Sequence, residues 1–151
     1  MNYYKFMGEF LSSDGKRNIT YYIYEPKCEI KGIVQISHGM CEYIERYEEF
    51  ADFLTKNGWL VCGNDHLGHG RSVLSEEELG YFSEEDGWEH CVNDLNTTRR
   101  IIRQKYIDNL PYVLLGHSMG SFIARAYLIK YPSKIDSAII CGTSAGFPQS
   151  I

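Results

Sequence analysis

The sequence predicts an α/β sandwich, a mostly parallel sheet preceded by an antiparallel hairpin. Compact apolar runs at 33–36, 59–62, 112–115 and 137–141 alternate with stretches whose apolar residues recur at helical spacing. Such strand–helix alternation builds parallel sheets with helices packed on them. Ahead of it, two β-prone stretches at 6–11 and 18–24 flank a turn signal that contains Asp14-Gly15, which reads as a hairpin.

Taken in order, the hairpin's second arm carries Tyr21, Tyr22 and Tyr24 and is expected to lie half-buried at a sheet edge. A polar connection at 26–31 leads into the strand at 33–36. Ile44, Tyr47, Phe50, Ala51 and Leu54 recur at helical spacing and predict one amphipathic helix over 42–57, stopped by Asn57-Gly58. The strand at 59–62 ends at Gly63-Asn64-Asp65, and 64–87 read as loop. Its acidic runs, Glu76-Glu77-Glu78 and Glu84-Glu85-Asp86, read as a solvated face and a helix N-terminus rather than an acid/base pair. Trp88, Cys91, Val92, Leu95, Ile102 and Tyr106 mark one long helix, ended by Asn109-Leu110-Pro111. His90 falls on it as an ordinary helix residue. The strand at 112–115 leads through a short turn into a helix that runs to Tyr131-Pro132, and the strand at 137–141 comes last.

At 151 residues the chain is one domain's worth, and 44% apolar with 23% charged residues is an ordinary globular composition. A net charge of −5 without a lysine or arginine cluster argues against a nucleic-acid partner. No apolar stretch is long enough to span a bilayer, and the N-terminus lacks the basic-then-apolar layout of a secretory signal. Cysteines 28, 41, 62, 91 and 141 are odd in number, with no C-x-x-C pair. Reduced thiols in the cytoplasm are the expectation.

The chemistry concentrates in Gly116-His117-Ser118-Met119-Gly120, a G-x-S-x-G pattern between a strand and a helix. In that context the serine sits on a sharp bend as a nucleophile, and side chains at Gly116 and Gly120 would collide with the neighbouring strand and helix. No G-x-x-x-x-G-K-[ST] pattern supports phosphate binding instead. The loops at 37–41, 63–71 and 116–120 all follow strands, so they meet at the carboxyl edge of the sheet, where such folds bind ligands.

Three stretches in register resemble the α/β-hydrolases of the monoacylglycerol lipase and lysophospholipase branch, which is serine aminopeptidase-like. They are Ser37-His38-Gly39-Met40-Cys41-Glu42-Tyr43 with Arg46-Tyr47, then 64–72 (Asn64-Asp65-His66-Leu67-Gly68-His69-Gly70-Arg71-Ser72), then the pentapeptide. The resemblance covers nearly the whole chain. It implies an acyl-enzyme on Ser118, with the backbone N–H groups of Met40 and Met119 as the oxyanion hole. His38 and Gly39 then belong to the oxyanion turn, and His117 packs the elbow rather than acting as base. Asp65, His66 and His69 have H-x-x-H spacing, but no helix aligns them and no further ligands accompany them. The family reading is a turn whose polar side chains stabilise the loop, with no metal and no organic cofactor.

The triad in this fold runs Ser, then Asp or Glu, then His. After Ser118 the chain holds one carboxylate, Asp136, and no histidine. Asp136 precedes the last strand, which makes it a poor triad acid. The reading is therefore a single partial domain over 1–151, an α/β-hydrolase fold cut after about the sixth strand. Its lid, which would begin near Ile151, and its C-terminal catalytic half are absent. A truncation, a gene fragment or one piece of a split enzyme would all fit. Partners are an acyl ester or lipid substrate and the missing half in trans, or a second copy through the open sheet edge. Other readings are a general carboxylesterase, an aminopeptidase-type acyl hydrolase, or a non-catalytic module that binds an acyl ligand or a partner chain.

Overall fold

The computed structural model describes residues 1–106 and 109–145; the stretch around Ile151, where a lid was expected to begin, lies outside them. Strands β1 (Tyr3–Leu11) and β2 (Asn18–Pro26) pair antiparallel over their full length. β2 also pairs antiparallel with β4 (Trp59–Asn64). β2 is thus an interior strand and β1 the edge. The tyrosines of β2 are more than edge aromatics: Tyr22 and Tyr24 are fully buried.

The sheet order is β1-β2-β4-β3-β5-β6, with β3 (Gly32–Ser37), β4, β5 (Tyr112–His117) and β6 (Ser137–Cys141) mutually parallel. From β3 the chain crosses through helix α1 (Glu48–Lys56) to β4 on one side. From β4 it returns through α2 (Gly87–Lys105) to β5 on the other side of β3. The winding reverses between β3 and β5, and a crevice opens beyond the carboxyl ends of strands that part in this way. The loops after β3 and β5 border it.

Period-two alternation sorts the core into two layers. Val34, Ile36, Val61 and Leu115 point to the side of Ala51 on α1. Ile33, Leu60, Cys62 and Leu114 point to the opposite side, toward α2 and α3 (Met119–Lys130). Every residue of β3 is buried, as expected of a parallel strand covered on both faces. Both of its polar side chains are satisfied: Gln35 donates through Nε2 to the Leu95 carbonyl (2.9 Å) and accepts from the Tyr112 hydroxyl, and the Ser37 hydroxyl bonds His66 Nε2.

Two expectations need correction. The helix predicted over 42–57 is a 3₁₀ turn (Ile44–Tyr47) followed by α1. Residues 42 and 43 are drawn away from it, because Glu42 bonds back to the Gly39 N–H and Tyr43 is extended. The acidic run at 76–78 is not only a solvated face. Glu78 accepts from both Nε and Nη2 of Arg17 at 2.9 Å, and Arg17 is just 6% exposed. That ion pair, shared with Asp14, fastens the 64–87 loop to the hairpin turn.

On α2, Asp94 is buried against the same turn. It accepts from the Ser12 hydroxyl (2.7 Å) and the Ser13 N–H (2.8 Å). Burial outweighs these bonds and pushes its carboxyl from 3.8 up to about 6. The folded state therefore holds this proton more tightly than the unfolded chain does. Stability from this group is full below about pH 4 and falls as pH rises toward 6, by roughly 3 kcal/mol at 1.36 kcal/mol per pKa unit. Urea denaturation between pH 4 and 7 is expected to show this decline, and Asp94→Asn should remove its slope.

Candidate active site

Ser118 stands between β5 and α3 with φ 52° and ψ −121°, a conformation that non-glycine residues rarely adopt. Its neighbours impose it. The Ser118 N–H donates to the Cys141 carbonyl of β6 (3.0 Å). Its own carbonyl accepts from the Ser121 N–H (2.9 Å) and the Ser121 hydroxyl (2.6 Å). The glycines on either side admit no side chain. A Cβ on Gly116 would lie 2.6 Å from the Gly120 carbonyl oxygen, and one on Gly120 would overlap the Ser37 carbonyl and sit 2.5 Å from that of His38. The start of α3 thereby lies on the end of β3. On the other flank, a Cβ on Gly39 would come within 3.2 Å of the Ser118 Cβ, so the turn after β3 borders the serine. Met40 follows, its side chain 63% exposed, whereas the Met119 side chain is packed into the core beside Leu114 and Ile123.

The turn after β3 is clamped at both ends by two consecutive residues of the 64–72 loop. At its start, the His66 N–H donates to His38 Nε2 (2.9 Å), and His38 Nδ1–H donates to the Gly39 carbonyl (2.8 Å). Those bonds fix the neutral tautomer, and burial holds the ring's pKa down at about 4. His66 Nε2 and the Ser37 hydroxyl share a further bond (3.1 Å). At the turn's far end, Asp65 accepts from the Ile44 N–H (2.8 Å), and its other oxygen accepts from the Arg71 N–H (2.9 Å) and the Tyr22 hydroxyl (3.2 Å). His69 packs near His38, with ring centroids 5.3 Å apart, and spends Nδ1–H on the Leu67 carbonyl. Among the described residues no group of histidine, cysteine and carboxylate side chains is arranged to hold a metal ion.

Glu42 joins the turn to the elbow. One oxygen accepts from the Gly39 N–H and the Tyr47 hydroxyl, both 2.7 Å, and lies 3.3 Å from His117 Nδ1. Burial alone would raise this carboxyl, but the bonds from Tyr47, Gly39 and His117 together hold it below the usual value. His117 is half-exposed and polar-bonded rather than packed into the core. Asp136 is far from this edge: it accepts from the Tyr112 N–H (2.8 Å) at the opposite end of β5, about 20 Å away at the usual strand rise. Among the described residues the Ser118 side chain is half-buried and its hydroxyl has no hydrogen-bond partner.

Residues 28–150 match the family model for serine aminopeptidase, S33. The chain belongs to that family. It is 34% identical over 128 residues to a monoacylglycerol lipase of Mycolicibacterium smegmatis, which covers 85% of this chain and 43% of the relative. It is 30% identical over 137 residues to a monoglyceride lipase of Rattus norvegicus, covering 91% and 43%. Among solved structures, a thermostable carboxyl esterase from Bacillus coagulans superposes with a TM-score of 0.89 at 35% identity, over 95% of this chain and 46% of that one. This S33-family chain thus spans less than half the length of these three relatives, and its six strands are part of an α/β-hydrolase fold.

Sequence reasoning located the serine and both turns and gave Asp65 a loop-stabilising role, but missed Glu42 as an organiser of the site. The only cue to Glu42 was a carboxylate three residues after the glycine of the turn. The glycine packing gives a direct test. Gly120→Ala is expected to destabilise by about 3 kcal/mol, the upper range for overpacking, lowering Tm by roughly 6–12 °C for a domain this size. A melt within 2 °C of the parent, again scaled by about 2–4 °C per kcal/mol, would show that α3 is not seated on β3 in this way.

Proposed function

We propose that this chain carries the nucleophile and the oxyanion hole of a carboxylic-ester hydrolase acting on monoacylglycerols or lysophospholipids. The left-handed backbone of Ser118, held at the switch point beside the turn of Gly39 and Met40, carries the reading. A residue in such a conformation costs about 1–3 kcal/mol and persists where its surroundings impose it, most often at functional sites.

Ser118 Oγ attacks the ester carbonyl carbon, and its proton passes to a base. The N–H groups of Met40 and Met119 receive the developing oxyanion, each worth about a hundred- to a thousandfold in turnover. Collapse expels the alcohol and leaves the acyl group on Ser118, from which water releases it. The histidine base and its acid come from polypeptide outside residues 1–151, since no histidine follows Ser118 and Asp136 sits at the wrong end of β5. The outer edge of β6, unpaired among the described residues, is where a further strand would add. The same edge could join two copies. An aminopeptidase-type or general carboxylesterase activity would use the same serine and donors on another leaving group. Five unpaired thiols support a cytoplasmic setting, and no helix among the described residues is long and apolar enough to cross a membrane.

A fluorophosphonate probe is expected to label the 151-residue chain slowly at Ser118, because an oxyanion hole without its triad partners retains about 10³–10⁴ of rate enhancement. Ser118→Ala should abolish the label. A folded chain that takes no label would favour a non-catalytic acyl-binding module. Rapid, Ser118-dependent turnover of a short-chain nitrophenyl ester would show that the chain supplies its own base.

A further inference from the structure

Residues 73–86 run from the loop after β4 to the start of α2 without one fully buried residue. Leu74, Leu79 and Tyr81 all stand exposed. The two ends of the segment are fixed. Ser72 is buried, where its hydroxyl donates to the Asp65 carbonyl (2.7 Å) and accepts from the Thr20 N–H (3.1 Å), and Gly87 opens α2. Between these ends the backbone bonds mostly close on the segment itself: Glu78 N–H to Ser75, Leu79 N–H to Glu76, Tyr81 N–H to Glu78. Among the described residues one backbone bond ties its middle to the loop beneath, from the Gly80 N–H to the Gly68 carbonyl (2.7 Å). Phe82 adds a partly buried ring, its centroid 5.9 Å from that of His69. A segment with so few buried contacts opens at low free energy unless something else holds it.

Arg17 of the hairpin turn is what holds it. The planar fork of Nε and Nη2 meets both oxygens of Glu78, and Cζ lies 5.4 Å from the centre of the Tyr81 ring. Nη1 donates to Asp14 (2.9 Å), so the guanidinium stays anchored to its own turn, and Asp94 anchors that turn to α2. The exposed Lys16–Glu84 contact adds little beside this buried pair. Under the segment lies His69, 3% exposed. Its Nδ1–H donates to the Leu67 carbonyl, which leaves Nε2 with a free lone pair, and this atom is buried without a partner. The backbone of Tyr81 passes so close to Gly68 that a Cβ there would overlap its carbonyl. Leu79, Gly80 and His69 together line a cavity of about 330 Å³.

We infer that residues 73–86 form a strap latched by Arg17, whose release uncovers His69 and widens the cavity beneath. The strap pivots at its fixed ends, and Asp86 already has the left-handed φ of a sharp turn (48°). It lies between β4 and α2, not after β6 where the sequence reading expects a lid. The inference goes beyond the hydrolase reading and holds whether or not Ser118 is a nucleophile.

Diethyl pyrocarbonate acylates an imidazole nitrogen that bears a free lone pair, so it reads the opening at His69, with the adduct located by peptide mass spectrometry. In the parent chain His69 is expected to react far more slowly than His90 and His117, both partly exposed. Arg17→Met should speed modification of His69 by about a hundredfold, the order by which losing one partner of a buried ion pair shifts an equilibrium. Glu78→Gln should speed it by about tenfold, because the amide keeps an acceptor but not the charge. The double variant should react no faster than Arg17→Met, since both changes break one contact, and Lys16→Met should match the parent. Hydrogen exchange at residues 79–81 should rise in step while the amides of β3 keep their rates. If Arg17→Met does not fold, Glu78→Gln decides. His69 reacting at the parent rate in Glu78→Gln, or an acceleration shared equally by β3, would overturn the inference.

Discussion

The site depends on one close approach, that of the Gly120 Cα to the carbonyl oxygens of Ser37 and His38 at the end of β3. No residue with a Cβ can occupy that place, so α3 starts against the backbone of the central strand. Once α3 is fixed there and β5 is fixed in the sheet, the chain has only Ser118 with which to turn from one to the other. The left-handed φ follows from that short span. Hydrogen bonds to Cys141 and Ser121 offset part of its cost. Each such bond contributes about 1 kcal/mol net, comparable with the strain itself.

The same economy governs the turn after β3. The turn is buried at its two ends, where polar groups must find partners, and two consecutive residues of another loop supply them. His66 acts through its main chain and Asp65 through its carboxylate. Three imidazoles cluster here, with His38 and His66 rings 4.3 Å apart. Burial lowers the pKa of His66 well below its usual value, and the neighbouring rings lower it further. A charge on His38 or His66 would be desolvated beside the other ring. Both work as neutral rings that link the two loops by hydrogen bonds. The H-x-x-H spacing that suggested ligation thus has a different physical use: both nitrogens of His38 are engaged in bracing the turn.

Much of this was legible in the residues. The alternation of apolar runs and helical periodicity located the parallel strands and the three α-helices of the described residues, because a parallel sheet covered on both faces must be written in continuous apolar strands such as 33–36. The G-x-S-x-G spacing located the bend, because the steric demand at Gly116 and Gly120 is a property of residue type. What the sequence hid was long-range. Tyr22 and Tyr24 look like edge aromatics until β4 is seen to pair with β2. Glu78 looks solvated until Arg17, 61 residues earlier, reaches it. The missing first turn of the predicted helix at 42–57 has the same origin. Local propensity favours helix there, but Glu42 and the Ile44 N–H are claimed by Gly39 and Asp65, partners that no window of neighbouring residues contains.

Glu42 and Asp65 divide the work of the site by their environments. Both carboxylates accept backbone N–H groups from the same turn, yet their protons are held differently. Asp65 is fully buried, and burial raises its pKa against the pull of the Arg71 and Ile44 N–H groups. Glu42 is only partly buried, and donors from Tyr47, Gly39 and His117 reverse the effect. The buried carboxylate is thereby a structural anchor whose desolvation is tolerated because each oxygen has a donor. The more exposed one is kept ionised beside the elbow, where it links His117 to the N–H that precedes the Met40 peptide. A negative charge at that point orients the turn while its own field is spent on three donors. It would therefore add little repulsion to the oxyanion proposed at the amides of residues 40 and 119.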